Sequence, residues 1–259
     1  MSQPPASPAL RDWLLLIGGS TYKFTLTSFY LVALVAILKN HGYSLNQLSW
    51  IHLIGGIEAA KVLFAALMER RPAGRFGRFR GWLLAATLGL SAVFGLMACT
   101  DMTRNFPLLL TCCVLLSAMS AVYGCAMLGL SCIVLPHRER GFGGVIQTMA
   151  ARGGKMIGGA LVLWLYQEYG QTAAAGFMLA FTLLMLLQLL CYREPESPTA
   201  QGGLTALAAR LVSFWRRPET GWRWLVLLFA VAAPYAFAAA TFVPKLADLG
   251  FNPKQTGGI

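Results

Sequence analysis

Over 259 residues, hydrophobic side chains make up 57% and charged ones only 12%, which excludes a soluble globular domain and a disordered chain. A formal charge of +11 would suit a nucleic-acid binder, but the basic residues are dispersed among short loops between apolar runs, as in a polytopic membrane protein. The six cysteines fall within or at the ends of those runs and the three histidines lie far apart, so no disulfide framework, metal site or cofactor is expected.

The N-terminus, Met1 to Leu10, is polar and Pro-rich and lacks the basic start and small-residue cleavage site of a signal peptide, so the first span is expected to be retained. Apolar runs of about 20 residues predict spans at Trp13–Leu38, Leu45–Met68, Trp82–Cys99, Pro107–Leu135, Gly144–Tyr166, Thr172–Cys191 and Trp224–Val243, with an eighth beginning at the end. Arginines crowd the loops at 69–80 and 137–143 and the linker after residue 192, whereas the alternate loops hold only Lys39, Arg104, Lys245 and Lys254. That parity places the N-terminus and the Arg-rich loops in the cytoplasm.

The expected architecture is all-α: a six-helix transmembrane bundle at 1–192, a cytoplasmic linker at 193–221 and the start of a second bundle at 222–259. Within the linker, Leu204, Leu207, Leu211 and Trp215 are spaced as an amphipathic helix suited to a membrane surface, or to a plain solvated connection. The segment Leu38–Ile51 lines up with Leu246–Ile259, sharing Leu, Gly, an aromatic, Gln and Ile at matching positions after spans one and seven. Such a match predicts duplicated transporter halves, a full length of roughly 400 residues, and a missing remainder of the second half.

Formal charges well inside the spans are few: Lys23 on the first, Glu58 and Lys61 on the second, Arg152 and Lys155 on the fifth. Charge in the hydrocarbon costs several kcal/mol unless it faces water, protein or a partner. Two readings stand: purely structural pairing between helices, or a shared wet cavity. In the second, Lys23, Lys61, Arg152 and Lys155, with Tyr30 on the Lys23 face, bind an anionic solute, and Glu58 is the candidate for proton coupling. Glu58 is expected to pair with Lys61, three residues on, or with Arg152 across helices.

Spans three and six, without charge, are expected to pack peripherally. On span one Ser20, Lys23, Thr27 and Tyr30 share a face, and on span four Ser117, Ser120, Gly124, Met127 and Ser131 form a stripe read mainly as close packing. The run Gly153-Gly154-Lys155-Met156-Ile157-Gly158-Gly159 lacks the leading Gly and the Ser or Thr of a phosphate loop. It reads instead as a Gly154-x-x-x-Gly158 helix contact. No catalytic constellation is visible, so the chain is not expected to be an enzyme.

The loop Leu67 to Ala85, reading Leu-Met-Glu-Arg-Arg-Pro-Ala-Gly-Arg-Phe-Gly-Arg-Phe-Arg-Gly-Trp-Leu-Leu-Ala, resembles the Gly-x-x-x-Asp-Arg-x-Gly-Arg-Arg loop of the major facilitator superfamily, with Glu69 for Asp and an insertion. Its lengthened form and the Arg152-Gly153 … Gly158-Gly159-Ala160-Leu161 run of span five are similar to the branch of muropeptide permeases and siderophore permeases of the RhtX/FptX type. The resemblance implies a multi-pass protein of the bacterial inner membrane that imports a ferric siderophore, pyochelin-like, from periplasm to cytoplasm on the proton motive force. Its alternative is a muropeptide or other anionic-metabolite permease. The resemblance further implies gating contacts for Glu69, Arg70, Arg78 and Arg80, and partners limited to the bilayer, an anionic solute and the rest of the same chain, with no nucleic acid.

Overall fold

A computed structural model of the chain describes residues 8–61, 64–65, 68, 77–100, 105–136, 138–195, 209, 212–213, 215–217, 221–224, 226–227, 229–231 and 233–234. Every regular element among them is helical, as hydrocarbon demands of a backbone that cannot bond to water. Two compact units divide the chain, Met1–Gln201 and Gly202–Ile259. In the second, a short apolar helix covers Gly221–Val231. The 246–259 repeat segment, most of the 204–215 helix and the end of the seventh span lie outside the described residues.

In the first unit, α1 (Leu10–Ser28) runs through a π-helical turn, Phe29–Ala33, into α2 (Leu34–Asn40), together a 31-residue span. The chain restarts at α3 (Leu45–Gly55), where Ser44 and Gln47 form a reciprocal cap: Gln47 Oε1 accepts from the Ser44 N–H at 3.0 Å and Ser44 Oγ from the Gln47 N–H at 3.4 Å. This second span then tightens into a 3-10 turn over Gly56–Ala60. Next come α4 (Arg80–Cys99), α5 (Phe106–Val134), whose first turn carries Pro107, and α6 (Arg140–Lys155). A second π turn, Met156–Leu161, joins α6 to α7 (Val162–Cys191).

The stretch from Arg140 to Cys191 is 52 residues long. As one straight rod it would reach ~78 Å, more than twice the ~30 Å of a hydrocarbon core. Gly170 resolves this with φ 82° and ψ −175°, non-helical values in the half of the map that glycine enters freely. The chain therefore makes its fifth and sixth passes on either side of Gly170, at the boundary expected between Tyr166 and Thr172. The other long apolar helices, Leu10–Asn40, Arg80–Cys99 and Phe106–Val134, contain or closely match the expected spans.

Contacts at the two ends of the bundle confirm the up-and-down order. At one end His41 Nε2 lies 2.6 Å from Tyr166 Oη, Tyr43 stacks on Phe106 at 5.3 Å, and Gln171 Nε2 donates to the carbonyls of Met97 and Thr100 at 3.2 and 2.8 Å. At the other end Glu194 meets the backbone of Phe79 and Arg80. Span one runs through the middle of the unit, where Tyr22 makes edge-on ring contacts with Tyr123 and Phe181 at 5.2 and 5.5 Å. α4 and α7 pack along each other and expose Leu88, Leu183, Leu184 and Leu187, an apolar outer face suited to acyl chains.

Span five docks on span one through its glycines. A Cβ on Gly154 would fall 2.6 Å from Phe24 Cβ and 2.7 Å from the Thr25 nitrogen, and one on Gly158 would collide with the Thr25 carbonyl. The glycine run is thus a backbone-to-backbone contact, as its small-x-x-x-small spacing suggested.

Candidate functional site

Three spans converge on one carboxylate. Glu58 lies in the 3-10 turn of span two, about midway through the predicted 45–68 run. Opposite it, Lys23 is ~20 Å from the start of the 31-residue first span at 1.5 Å per residue, so both sit deep in the bundle. Glu58 Oε2 accepts from Lys61 Nζ at 2.7 Å and from Lys23 Nζ at 3.2 Å. Its other oxygen, Oε1, accepts from Thr27 Oγ1 at 3.1 Å, Tyr30 Oη at 3.3 Å and Ser120 Oγ at 3.1 Å. Five donors saturate the carboxylate.

The side chains of Lys23, Glu58 and Lys61 are 12, 17 and 29% exposed. Two ammonium groups share one carboxylate, so the cluster carries an excess positive charge in a low-dielectric setting, where an uncompensated charge is costly. The lysine stem is held in place: a Cβ on Gly124 would come within 3.0 Å of Lys23 Cε, and Lys23 Nζ lies 4.5 Å from the Phe24 ring centre. The span-four stripe therefore packs on spans one and two, with Ser117 Oγ donating to the Ile54 carbonyl at 3.0 Å. It also supplies Ser120 as a ligand to Glu58.

A cavity of about 150 Å³ opens beside the two lysines, with Ser20, Gly124 and Gln147 on its walls. Gln147 Nε2 donates to Ser20 Oγ at 3.4 Å across it. Lys61 and Leu128 also border a neighbouring cleft of about 330 Å³, whose other walls are Ala65, Phe79, Cys125, Gly129 and Cys132.

Of the residues expected to bind solute, the structure brings Lys23, Tyr30 and Lys61 together around Glu58, and it leaves Arg152 and Lys155 elsewhere. On α6 the face turned to span one carries Gln147, Ala150 and Gly154. At 100° per residue Arg152 lies ~160° from that face, and Lys155 lies to its side. Both are exposed, and neither forms a hydrogen bond or ion pair among the described residues. The cross-helix partner of Glu58 is Lys23, where Arg152 had been the candidate, while the pairing with Lys61 three residues on is present. Sequence reasoning had placed Thr27 and Ser120 on polar stripes but had not connected them to Glu58. Contacts between helices far apart in sequence leave no local signal.

Of the residues assigned to a gating loop, Glu69 and Arg70 lie outside the described residues. Arg80 donates from Nε to the Leu189 carbonyl at 3.0 Å and from Nη2 to that of Leu190 at 2.9 Å, closing the carbonyl end of span six. Glu194 returns the contact, its carboxylate accepting the N–H groups of Phe79 at 3.0 Å and Arg80 at 2.8 Å at the amino end of span three. The Arg78 guanidinium lies 5.2 Å from the Phe79 ring centre. In the sequence Glu194 falls within the linker expected at 193–221. Its role follows from the antiparallel neighbours it joins.

From residue 15 to residue 259 the sequence matches the model of the Major Facilitator Superfamily. Two curated relatives, each named anhydromuropeptide permease and coming from Escherichia coli strain K12 and Escherichia coli O157:H7, are 28% identical over an alignment of 257 residues that covers 96% of this chain and 51% of theirs. The chain spans about half the length of these relatives. With an all-helical, up-and-down bundle and a family match over nearly its whole length, the chain belongs to the Major Facilitator Superfamily.

Proposed function

We propose that the protein is a secondary transporter of the bacterial inner membrane, with its N-terminus in the cytoplasm, that imports an organic anion: a ferric siderophore of the pyochelin type. The observation that carries the transport reading is the Glu58 carboxylate held by Lys23 and Lys61 deep between spans one, two and four. Family membership supports transport over catalysis. The Arg-rich loops on one side support the orientation. In this reading the bundle at 1–192 is one of two halves that rock about a central site, the linker is 193–221, and the second half begins at 222.

The coupling follows from the cluster's charge. A solute anion that engages Lys23 and Lys61 withdraws them from Glu58, and a carboxylate deprived of cations in a low-dielectric site takes up a proton. Solute and proton would then cross together. Pyochelin as the solute rests on the resemblance of the 67–85 loop and span five to the siderophore permeases. A second reading, import of an anhydromuropeptide, is favoured by the two relatives at 28% identity.

Uptake separates the two. In cells lacking their own importer, the complete protein is expected to accumulate iron-labelled pyochelin and not a labelled anhydromuropeptide. Accumulation of the muropeptide alone would install the second reading, and accumulation of neither would remove both.

A further inference from the structure

From the two cavities that meet at Lys61 we infer a bipartite binding site for an amphipathic carboxylate, with its anionic group between Lys23 and Lys61 and its apolar or aromatic body in the neighbouring cleft. The inference deepens the transport reading and rests on it for the passage of solute. The smaller cavity, about 150 Å³, is where the polar side chains gather: Lys23, Lys61, Ser20 and Gln147 line it, among otherwise apolar walls. Its size suits a carboxylate group and a few waters, at ~30 Å³ per water. The cluster's excess positive charge is the charge that such a group would neutralise.

The larger cleft, about 330 Å³, is walled by Phe79, Cys125, Leu128 and Cys132 and begins at the same Lys61. Apart from the lysine it offers a solute mainly carbon and sulfur to touch. Ligand sites are typically apolar spaces with a few placed polar groups. Here the polar groups are gathered at one end. A solute with charge at one end and apolar bulk at the other fits both parts; a solute polar along its whole length would leave its hydroxyls unpaired in the cleft.

The test uses the complete protein in nanodiscs, with saturation-transfer NMR reading bound acetate, 3-phenylpropionate and 3-phenylpropionamide against empty nanodiscs. 3-Phenylpropionate is expected to bind about tenfold or more tighter than either acetate or the amide, since each of those lacks one of the two contacts. Cys132→Phe, which narrows the cleft without touching Glu58, is expected to remove the advantage of the phenyl group and leave acetate binding unchanged. Lys61→Gln is expected to remove the preference for carboxylate over amide, and Gln147→Leu, which leaves the Glu58 pairs intact, to weaken acetate. Equal binding of the acid and the amide, or a phenyl advantage that survives Cys132→Phe, would overturn the proposal. This pattern of binding in a protein that imports no pyochelin would retain the site and retire the siderophore reading.

Discussion

Replacing Gly158 by Ala is expected to loosen the bundle, whereas the same change at the adjacent Gly159 is expected to be harmless. At Gly158 the new methyl would lie 2.9 Å from the Thr25 carbonyl carbon and 3.0 Å from its Cα, and would strike the carbonyl oxygen. Those atoms are backbone and cannot swing aside, so relief requires span five to withdraw from span one by roughly half an ångström or more. Overpacking of this kind costs about 1–3 kcal/mol, which outweighs the gain of up to about 1 kcal/mol that alanine brings to a helix. At Gly159 the nearest atom to the new methyl is Val32 Cγ1 at 3.6 Å, an ordinary contact. Unfolding of the complete protein in mixed micelles, followed by tryptophan fluorescence, measures the difference. Equal stabilities, or a Gly158→Ala protein more stable than Gly159→Ala, would refute the claim that this contact is backbone on backbone.

Three further expectations follow from the same geometry. Glu58→Gln leaves two ammonium groups without a counter-charge and is expected to destabilise by about 3 kcal/mol, whereas Lys61→Met leaves Glu58 and Lys23 balanced one to one and is expected to cost about 1 kcal/mol or less, with the double variant less affected than the sum of the singles; strict additivity in the unfolding midpoints would deny the coupling. Glu194→Ala, which removes a carboxylate bonded to two helix-start N–H groups, is expected to cost about 1–2 kcal/mol and to raise hydrogen exchange at Phe79 and Arg80, whereas unchanged exchange there would contradict the cap. Because Arg152 lies away from the Glu58 cluster, Arg152→Ala is expected to reduce uptake less than Lys23→Gln, and the opposite order would move the solute contact to span five.

Span positions were legible in the sequence because bilayer thickness fixes the length of an apolar run and positive charge marks its ends. The interruption between Tyr166 and Thr172 was visible for the same reason, though not that Gly170 would carry it. Glycine spacing on span five announced a close helix contact, though not its partner, Thr25, which lies more than a hundred positions earlier. Intramembrane charge singled out Lys23, Glu58 and Lys61 because charge is expensive in hydrocarbon. The same argument gathered Arg152 and Lys155 beside them, and the structure leaves those two exposed and away from Glu58. Cost per charge says that each cation needs company, but only the rotation of the helix says whose, and the Gly154–Gly158 contact turns Arg152 to the opposite side. Likewise Glu194 read as linker because its partners are backbone groups of a helix that begins at Arg80.

The claim that Glu58 exchanges its lysines for a solute and then binds a proton is tested most directly in proteoliposomes containing the complete protein with Glu58→Gln. The solute is whichever of pyochelin iron complex or anhydromuropeptide the uptake assay selects. The variant is expected to exchange labelled solute across the bilayer at equal concentrations, yet fail to accumulate it when an inward proton gradient is imposed. Accumulation at the unsubstituted level would contradict the account.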